Sequence, residues 1–234
     1  MSILLLALLC LAAATFAARN LQLMIVNNVT IMACQPLLGA SLFEIFGYSS
    51  TVGNVFYMTM LYSLALKHRL YGLAAARRAV TFTFFSFTLI LGSIVILDTR
   101  MPDPLHQISA RMIASGFISF WLVQSLMLYL LERHADRPPL IAMPLTLLAT
   151  QVAACMIFFP GAFLGLFPAG TVLEFAILGT LTQSAIVIMA VPFLALSLRD
   201  FRRHGRDFFG GATRSVQPES RHRRSRLCWP GIIS

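Results

Sequence analysis

Between positions 172 and 198 the chain reads VLEFAILGTLTQSAIVIMAVPFLALSL, a run of 27 residues with one charged side chain. A helix rises about 1.5 Å per residue, so this run can cross the roughly 30 Å of hydrocarbon in a bilayer. Six further apolar runs precede it, at 3–17, 21–42, 51–66, 80–97, 111–131 and 140–159. The sequence therefore predicts an all-α fold, a polytopic transmembrane bundle of six to seven helices over residues 1–200.

The composition of the chain argues against a water-soluble fold. Hydrophobic residues make up 58% of the chain and charged residues only 12%, with a mean hydropathy of +0.78. Soluble domains carry about twice that charged fraction. The apolar runs are also continuous, without the alternation expected of a transmembrane β-barrel. We therefore expect the lipid bilayer to be the main partner of this protein.

Arginine and lysine are distributed unevenly among the connections, and short loops rich in these residues stay in the cytoplasm. The predicted 67–79 loop holds Lys67, Arg69, Arg77 and Arg78. Nine of the eighteen cations follow Leu198. The pattern predicts that both regions are cytoplasmic and that the N-terminus is outside.

The first apolar run, 3–17, has a second interpretation. The small-residue pattern Phe16-Ala17-Ala18 precedes Arg19 and is typical of a signal-peptide cleavage site. A charged segment before the run, which such signals carry, is missing. Both a retained helix and a cleaved signal peptide therefore stay open, with six or seven helices in either case.

Residues 201–234 differ from the rest of the chain because they are rich in Arg, Gly and Ser. This composition predicts a basic, disordered cytoplasmic tail. Its charge predicts attraction to anionic lipid headgroups. No folded nucleic-acid-binding module accompanies the charge, so we expect no nucleic-acid partner.

The search for reaction chemistry is negative. All five histidines are predicted in loops or in the tail, so no buried imidazole is expected to hold a haem or a metal ion. The sequence has no glycine-rich phosphate loop of the Walker kind, and no Ser, His and acidic set converges. The sequence therefore predicts a non-enzyme without catalytic residues, metal or cofactor.

Several uncharged polar side chains lie within the apolar runs. Polar groups at membrane depth are costly and tend to face the bundle interior. Five amides are predicted to line a shared solute pocket, namely Asn28, Asn54, Gln124, Gln151 and Gln183. Glu44 ends the second predicted helix and Glu174 begins the last, so both are predicted to form an acidic mouth at the outer side. The alternative role for each amide is to hold two helices together.

Short motifs in the centre of the chain resemble those of a known family. Glu44-Ile-Phe-Gly47 is followed by Thr51-Val-Gly-Asn54 and then by Tyr71-Gly72. The matches continue with Arg111-Met-Ile-Ala-Ser115, Thr150-Gln151, Leu173-Glu174 and Pro192-Phe193. In their order and spacing over residues 1–202, these motifs resemble the queuosine-precursor transporter family, formerly called putative vitamin uptake (VUT) proteins.

The resemblance implies import of a 7-deazaguanine base across a bacterial inner membrane. It also implies a fold similar to the substrate-binding subunit of energy-coupling-factor transporters, working without a dedicated ATPase. This chain departs from the family pattern at acidic positions, where it has Ala65, Arg69, Met127, Ala154 and Ala190. Gln183 stands where the family has a lysine.

Two functions therefore follow from the sequence. The first is a divergent transporter that binds a small heterocyclic solute at the amides. The second is a non-transporting structural or assembly subunit of a larger membrane complex, derived from the same family. The ordered motifs favour transport, whereas the missing acidic residues favour the subunit role.

Overall fold

A computed structural model describes residues 3–38, 42–45, 48–98 and 106–209, with side chains described for 5–31, 53–90, 92–93, 111–112 and 114–200. The chain forms two compact units, residues 1–198 and residues 199–234. Of the second unit, only residues 199–209 are described, and they are helical. The predicted disordered tail falls largely outside the described residues.

The described part of the chain contains six helices and one short hairpin. The helices are α1 (Ile3–Ala17), α2 (Leu21–Leu38), α3 (Val52–Asp98), α4 (His106–Arg133), α5 (Pro139–Phe163) and α6 (Ala169–Phe209). An antiparallel pair of strands, β1 (Leu42–Ile45) and β2 (Tyr48–Thr51), follows α2. Four of the described helices, α3 to α6, are long and apolar enough to cross a membrane. The prediction of a polytopic helical bundle is confirmed.

Two details of the predicted element boundaries are wrong. The backbone of Glu44 lies in β1 rather than at the end of the second helix, which stops at Leu38. The 67–79 region, predicted as a loop, is helical on both sides of Gly72 and joins the runs 51–66 and 80–97 into α3. The charged residues predicted a loop there, but a helix can carry charged side chains on an exposed face, as Arg69, Arg77 and Arg78 show.

Gly72 interrupts α3 with a backbone conformation that is not helical. Its φ is +83° and its ψ is 174°, a region of backbone space that essentially only glycine occupies. A Cβ added at Gly72 would meet nothing within 4 Å, so the requirement for glycine is conformational rather than steric. This residue therefore divides α3 into two helical segments.

The first segment of α3 lies at the centre of the bundle. Every residue from Val55 to His68 is buried. Tyr62 on this segment hydrogen-bonds the hydroxyl of Thr15 on α1 at 3.0 Å, and the Tyr71 hydroxyl donates to the Ala18 carbonyl at 2.8 Å. A helix that is buried all round is normally almost entirely apolar, so the polar residues on this segment need an explanation.

Small residues bring α5 close to its two neighbours. A Cβ at Gly161 of α5 would lie 2.7 Å from the Ser115 hydroxyl of α4. A Cβ at Gly179 of α6 would lie 2.8 Å from the Phe159 ring of α5. The Ser119 hydroxyl also donates to the Ala154 carbonyl at 3.3 Å. Close approach of backbones at small residues is typical of helix packing in membranes.

Replacement of Gly72 by alanine tests the break in α3. We expect Gly72→Ala to lower the stability by about 1–3 kcal/mol, because a Cβ is strained at this φ and ψ. Gly92→Ala is the matched control, since Gly92 lies in the same helix, also has open space around it and has no positive φ. Thermal unfolding in mild detergent measures both variants. Equal melting temperatures for the two variants would contradict the interpretation.

Candidate solute site

Two of the predicted site residues contact each other directly, across helices far apart in sequence. The Gln183 Nε2 group of α6 donates to Asn54 Oδ1 of α3 at 2.9 Å. Gln183 is buried and Asn54 is half-buried. Asn54 begins the buried segment of α3, so this bond ties the central helix to the last one.

Gln151 of α5 bonds α6 one helical turn before Gln183. Its Nε2 group donates to the Thr180 carbonyl of α6 at 2.7 Å, and Thr180 precedes Gln183 by three residues, which places both on one face of α6. The Thr180 hydroxyl donates to the Ala176 carbonyl at 2.8 Å. The structure therefore brings Asn54, Gln151 and Gln183 together where α3, α5 and α6 meet.

Gln124 of α4 contacts α3 at Met60, six residues after Asn54. Its Nε2 group lies 3.7 Å from the Met60 sulfur, which is a weak acceptor. The hydrogen bond between His68 and Glu132 has the same sequence separation, 64 residues, as the Gln124 and Met60 contact. Equal separations mean that α3 and α4 run parallel here.

Contacts between α4 and α5 then give the depth of Gln124. Ser119 lies against Ala154 and Ser115 lies against Gly161, so these two helices are antiparallel. Gln124 lies five residues, about one and a half turns, beyond Ser119, so the antiparallel register places it opposite the turn of α5 that holds Gln151. We call the resulting set the polar layer, which consists of Asn54, Gln124, Gln151, Thr180 and Gln183.

The polar layer offers hydrogen-bond acceptors that the bundle does not use. Gln151 Oε1 and Gln183 Oε1 are buried and have no hydrogen-bond partner among the described residues. The buried Tyr57 hydroxyl on α3 is also without a partner within that part of the chain. Buried polar atoms are normally paired. Each amide is thus anchored through its nitrogen, while its oxygen has no hydrogen-bond partner among the described residues.

The remaining predicted residues are not brought into this layer by any described contact. Asn28 of α2 is buried, and its Oδ1 atom has no partner in the described ranges. Glu174 is exposed near the beginning of α6. The side chain of Glu44 lies outside the described residues, so the acidic mouth stays a prediction.

The sequence interpretation missed Lys67, which is the largest surprise of the structure. Lys67 was assigned to a cytoplasmic loop, but it lies in α3 with a relative exposure of 0%. Its Nζ atom has no hydrogen-bond partner among the residues described. No local signal marks this burial, because Lys67 belongs to the same basic segment as Arg69, Arg77 and Arg78.

His68 also contradicts its predicted position in a loop. It is buried in α3, and its Nε2 atom lies 3.1 Å from Glu132 Oε2. A crevice of about 10 Å³ lies beside it, between Leu131 and Met143, and a space of this size holds one water molecule at most. No group of three His, Cys, Asp or Glu side chains within the described residues could hold a metal ion.

Comparison with known proteins adds one similarity. A probable queuosine precursor transporter of Bacillus subtilis (strain 168) is 24% identical to the chain over 175 residues, which cover 68% of the chain and 76% of that protein. No protein-family model matches the chain, and no solved structure matches it. The apolar helices and this relative together support a multi-pass membrane protein that resembles a transporter.

Proposed function

We propose that the protein carries a small heterocyclic solute, a 7-deazaguanine base, across a bacterial inner membrane. The observation that carries this proposal is the pair of unused acceptors in the polar layer, Gln151 Oε1 and Gln183 Oε1. The similarity to a probable queuosine precursor transporter supports the choice of solute.

The anchored amides suit the edge of a guanine-like base. A primary amide has two donor hydrogens on nitrogen and two acceptor lone pairs on oxygen. The nitrogens of Gln151 and Gln183 are bonded to α6 and α3, which orients the two oxygens. A 7-deazaguanine ring presents an N–H and an amino group side by side, and both donate. Two fixed acceptors can therefore receive two adjacent donors.

The full proposed pocket keeps all the residues predicted from the sequence. It is formed by Asn28, Asn54, Gln124, Gln151 and Gln183, with Glu44 and Glu174 at the outer opening. At the opening, the carboxylates of Glu44 and Glu174 would accept hydrogen bonds from the N–H and amino groups of the ring before the solute reaches the amides. The buried amides would then replace the water that the solute loses on entry.

Uptake in a bacterial host that cannot synthesise 7-deazaguanine tests this proposal. We expect the wild-type chain to support uptake of labelled 7-cyano-7-deazaguanine. Gln151→Leu and Gln183→Leu each remove one hydrogen-bond acceptor from the proposed site. We expect each variant to bind the solute roughly 10- to 100-fold more weakly and to take up less of it.

Thr182→Val is the matched control for the two glutamine variants. The Thr182 hydroxyl donates to the Leu178 carbonyl of its own helix at 2.9 Å, so its removal leaves the polar layer intact. We expect wild-type uptake from this variant. Unchanged uptake in both glutamine variants would contradict a solute site at the polar layer.

The second candidate is a structural or assembly subunit of a larger membrane complex. It is favoured by the direct helix-to-helix use of the amides, since Gln183 and Gln151 both donate to other helices. Such bonds hold helices together without any ligand. Purification in mild detergent separates the two candidates, because a stoichiometric retained protein partner combined with absent uptake supports the subunit role.

We further propose that the N-terminus is outside and that the basic tail is cytoplasmic and contacts anionic lipids. The Arg69 guanidinium donates to the Ala135 carbonyl at 3.0 Å, and His68 bonds Glu132. These contacts place the basic part of α3 and the connection between α4 and α5 at one end of the bundle. That arrangement supports the prediction that both face the cytoplasm.

Reporter fusions test this orientation. Green fluorescent protein folds in the cytoplasm, whereas alkaline phosphatase becomes active outside it. We expect fluorescence from a fusion after residue 234 and no phosphatase activity from the corresponding phosphatase fusion. Phosphatase activity at the C-terminus would contradict the proposed orientation.

A further inference from the structure

The polar layer does not explain why Lys67 is buried. It lies in the segment of α3 that is buried all round, within the apolar span from Gly53 to Ile90. No atom of the described residues accepts a hydrogen bond from its Nζ. A cation in this position without a partner is strongly unfavourable, and an apolar residue of similar length would be tolerated better.

The bundle does not supply an acidic partner from its described interior. Among the described side chains up to residue 198, no Asp or Glu is buried. Glu132 is exposed and bonds His68, while Asp136 and Glu174 are also exposed. The described core therefore holds a buried lysine amine without a buried acidic partner.

Two further donors, the Ser63 hydroxyl and the Gln124 amide, lie along the same side of α3 as Lys67 and lack good hydrogen-bond acceptors. Met60, Ser63 and Lys67 are spaced by three and four residues, so they form one stripe on α3. The Ser63 hydroxyl is buried and has no partner in the described part of the chain. The Gln124 amide faces only the thioether of Met60 on that stripe, at 3.7 Å. We call the three donors along this stripe, Lys67 and Ser63 of α3 and Gln124 of α4, the donor stripe.

The donor stripe begins at the depth of the polar layer and runs along α3 toward the end of the bundle where His68 bonds Glu132. Lys67 lies seven residues beyond Met60 on it, about 10 Å along the helix, and helical side chains lean toward the N-terminal end of their helix, which for Lys67 is the side of Ser63. Met60 is level with Gln124, and Gln124 is opposite the turn of Gln151. A solute at the polar layer would thus meet the unpartnered oxygens of Gln151 and Gln183, and a substituent extending along α3 could reach the unpartnered Ser63 hydroxyl and Lys67 amine.

We infer that the solute carries an anionic group, such as a carboxylate, and that Lys67 binds this group with help from Ser63 and Gln124. The inference rests on the proposed function and names the charge class of its solute. A carboxylate would receive charge-assisted hydrogen bonds, which are roughly twice as strong as neutral ones. A cationic substituent would instead be repelled by the ammonium.

Three ligands that share one ring and differ in charge test the inference. They are 7-deazaguanines with a carboxylate, a nitrile or an aminomethyl group at position 7, which are anionic, neutral and cationic at pH 7. Calorimetric titration of the full chain in lipid nanodiscs measures their affinities. We expect the carboxylate to bind about tenfold more tightly than the nitrile, and the aminomethyl compound to bind most weakly.

Substitution of the lysine then locates the preference. We expect Lys67→Met to lose the tenfold preference for the carboxylate and to keep its affinity for the nitrile. Arg69→Met is the matched control, because it removes an exposed cation two residues away that donates to the Ala135 carbonyl. We expect Arg69→Met to keep the preference of the wild-type chain.

The outcomes separate this inference from the proposed function. Binding of the nitrile as tight as that of the carboxylate, unchanged in Lys67→Met, overturns the inference and leaves the proposed function standing. Absence of binding by all three compounds overturns the proposed function, and the inference with it.

A second measurement uses the wild-type chain and does not depend on the folding of a variant. Reductive methylation with formaldehyde modifies amines, and this chain offers one lysine and the N-terminal amine. We expect the carboxylate compound to slow methylation of Lys67 at least severalfold, with the nitrile having little effect and the N-terminal amine serving as internal reference. Equal protection by both compounds would overturn the inference.

Discussion

Lipid offers no hydrogen bonds to a peptide group, and every membrane-crossing segment of this chain must therefore satisfy its own backbone. The requirement explains why α3 to α6 are long and apolar. Gly72 interrupts α3 with a backbone conformation that other residues rarely adopt.

The same constraint divides the polar side chains into two groups. Threonine and serine hydroxyls are short enough to reach the carbonyl four residues earlier in their own helix, as Thr59, Thr83 and Ser197 do. These hydroxyls therefore do not indicate which helix packs against their own. Glutamine and lysine cannot be satisfied in this way, because their polar groups lie at the end of longer side chains. They need another helix or a ligand.

The polar layer and the donor stripe follow from this division. Gln183 and Gln151 find partners on other helices with their nitrogens only. Lys67 finds none among the described residues. Apolar side chains at such positions would give a more stable bundle, because burying an unpaired polar or charged group is costly. The bonded nitrogens, the unpartnered oxygens and the buried lysine amine are the observations on which the proposed solute site rests.

Helix formation in a bilayer is a local property, since it depends on the length and continuity of an apolar run. The sequence by itself therefore determined the all-helical class and the approximate position of most helices. Interhelical contacts depend on the rotation and register of whole helices. Only the tertiary structure could show that Gln183 meets Asn54, a residue 129 positions earlier, while Asn28 meets neither of them through any described contact. The burial of Lys67 could not be predicted for the same reason. A lysine in a basic segment has no local sign of burial, and only the packing of neighbouring helices around α3 decides whether its side chain is exposed.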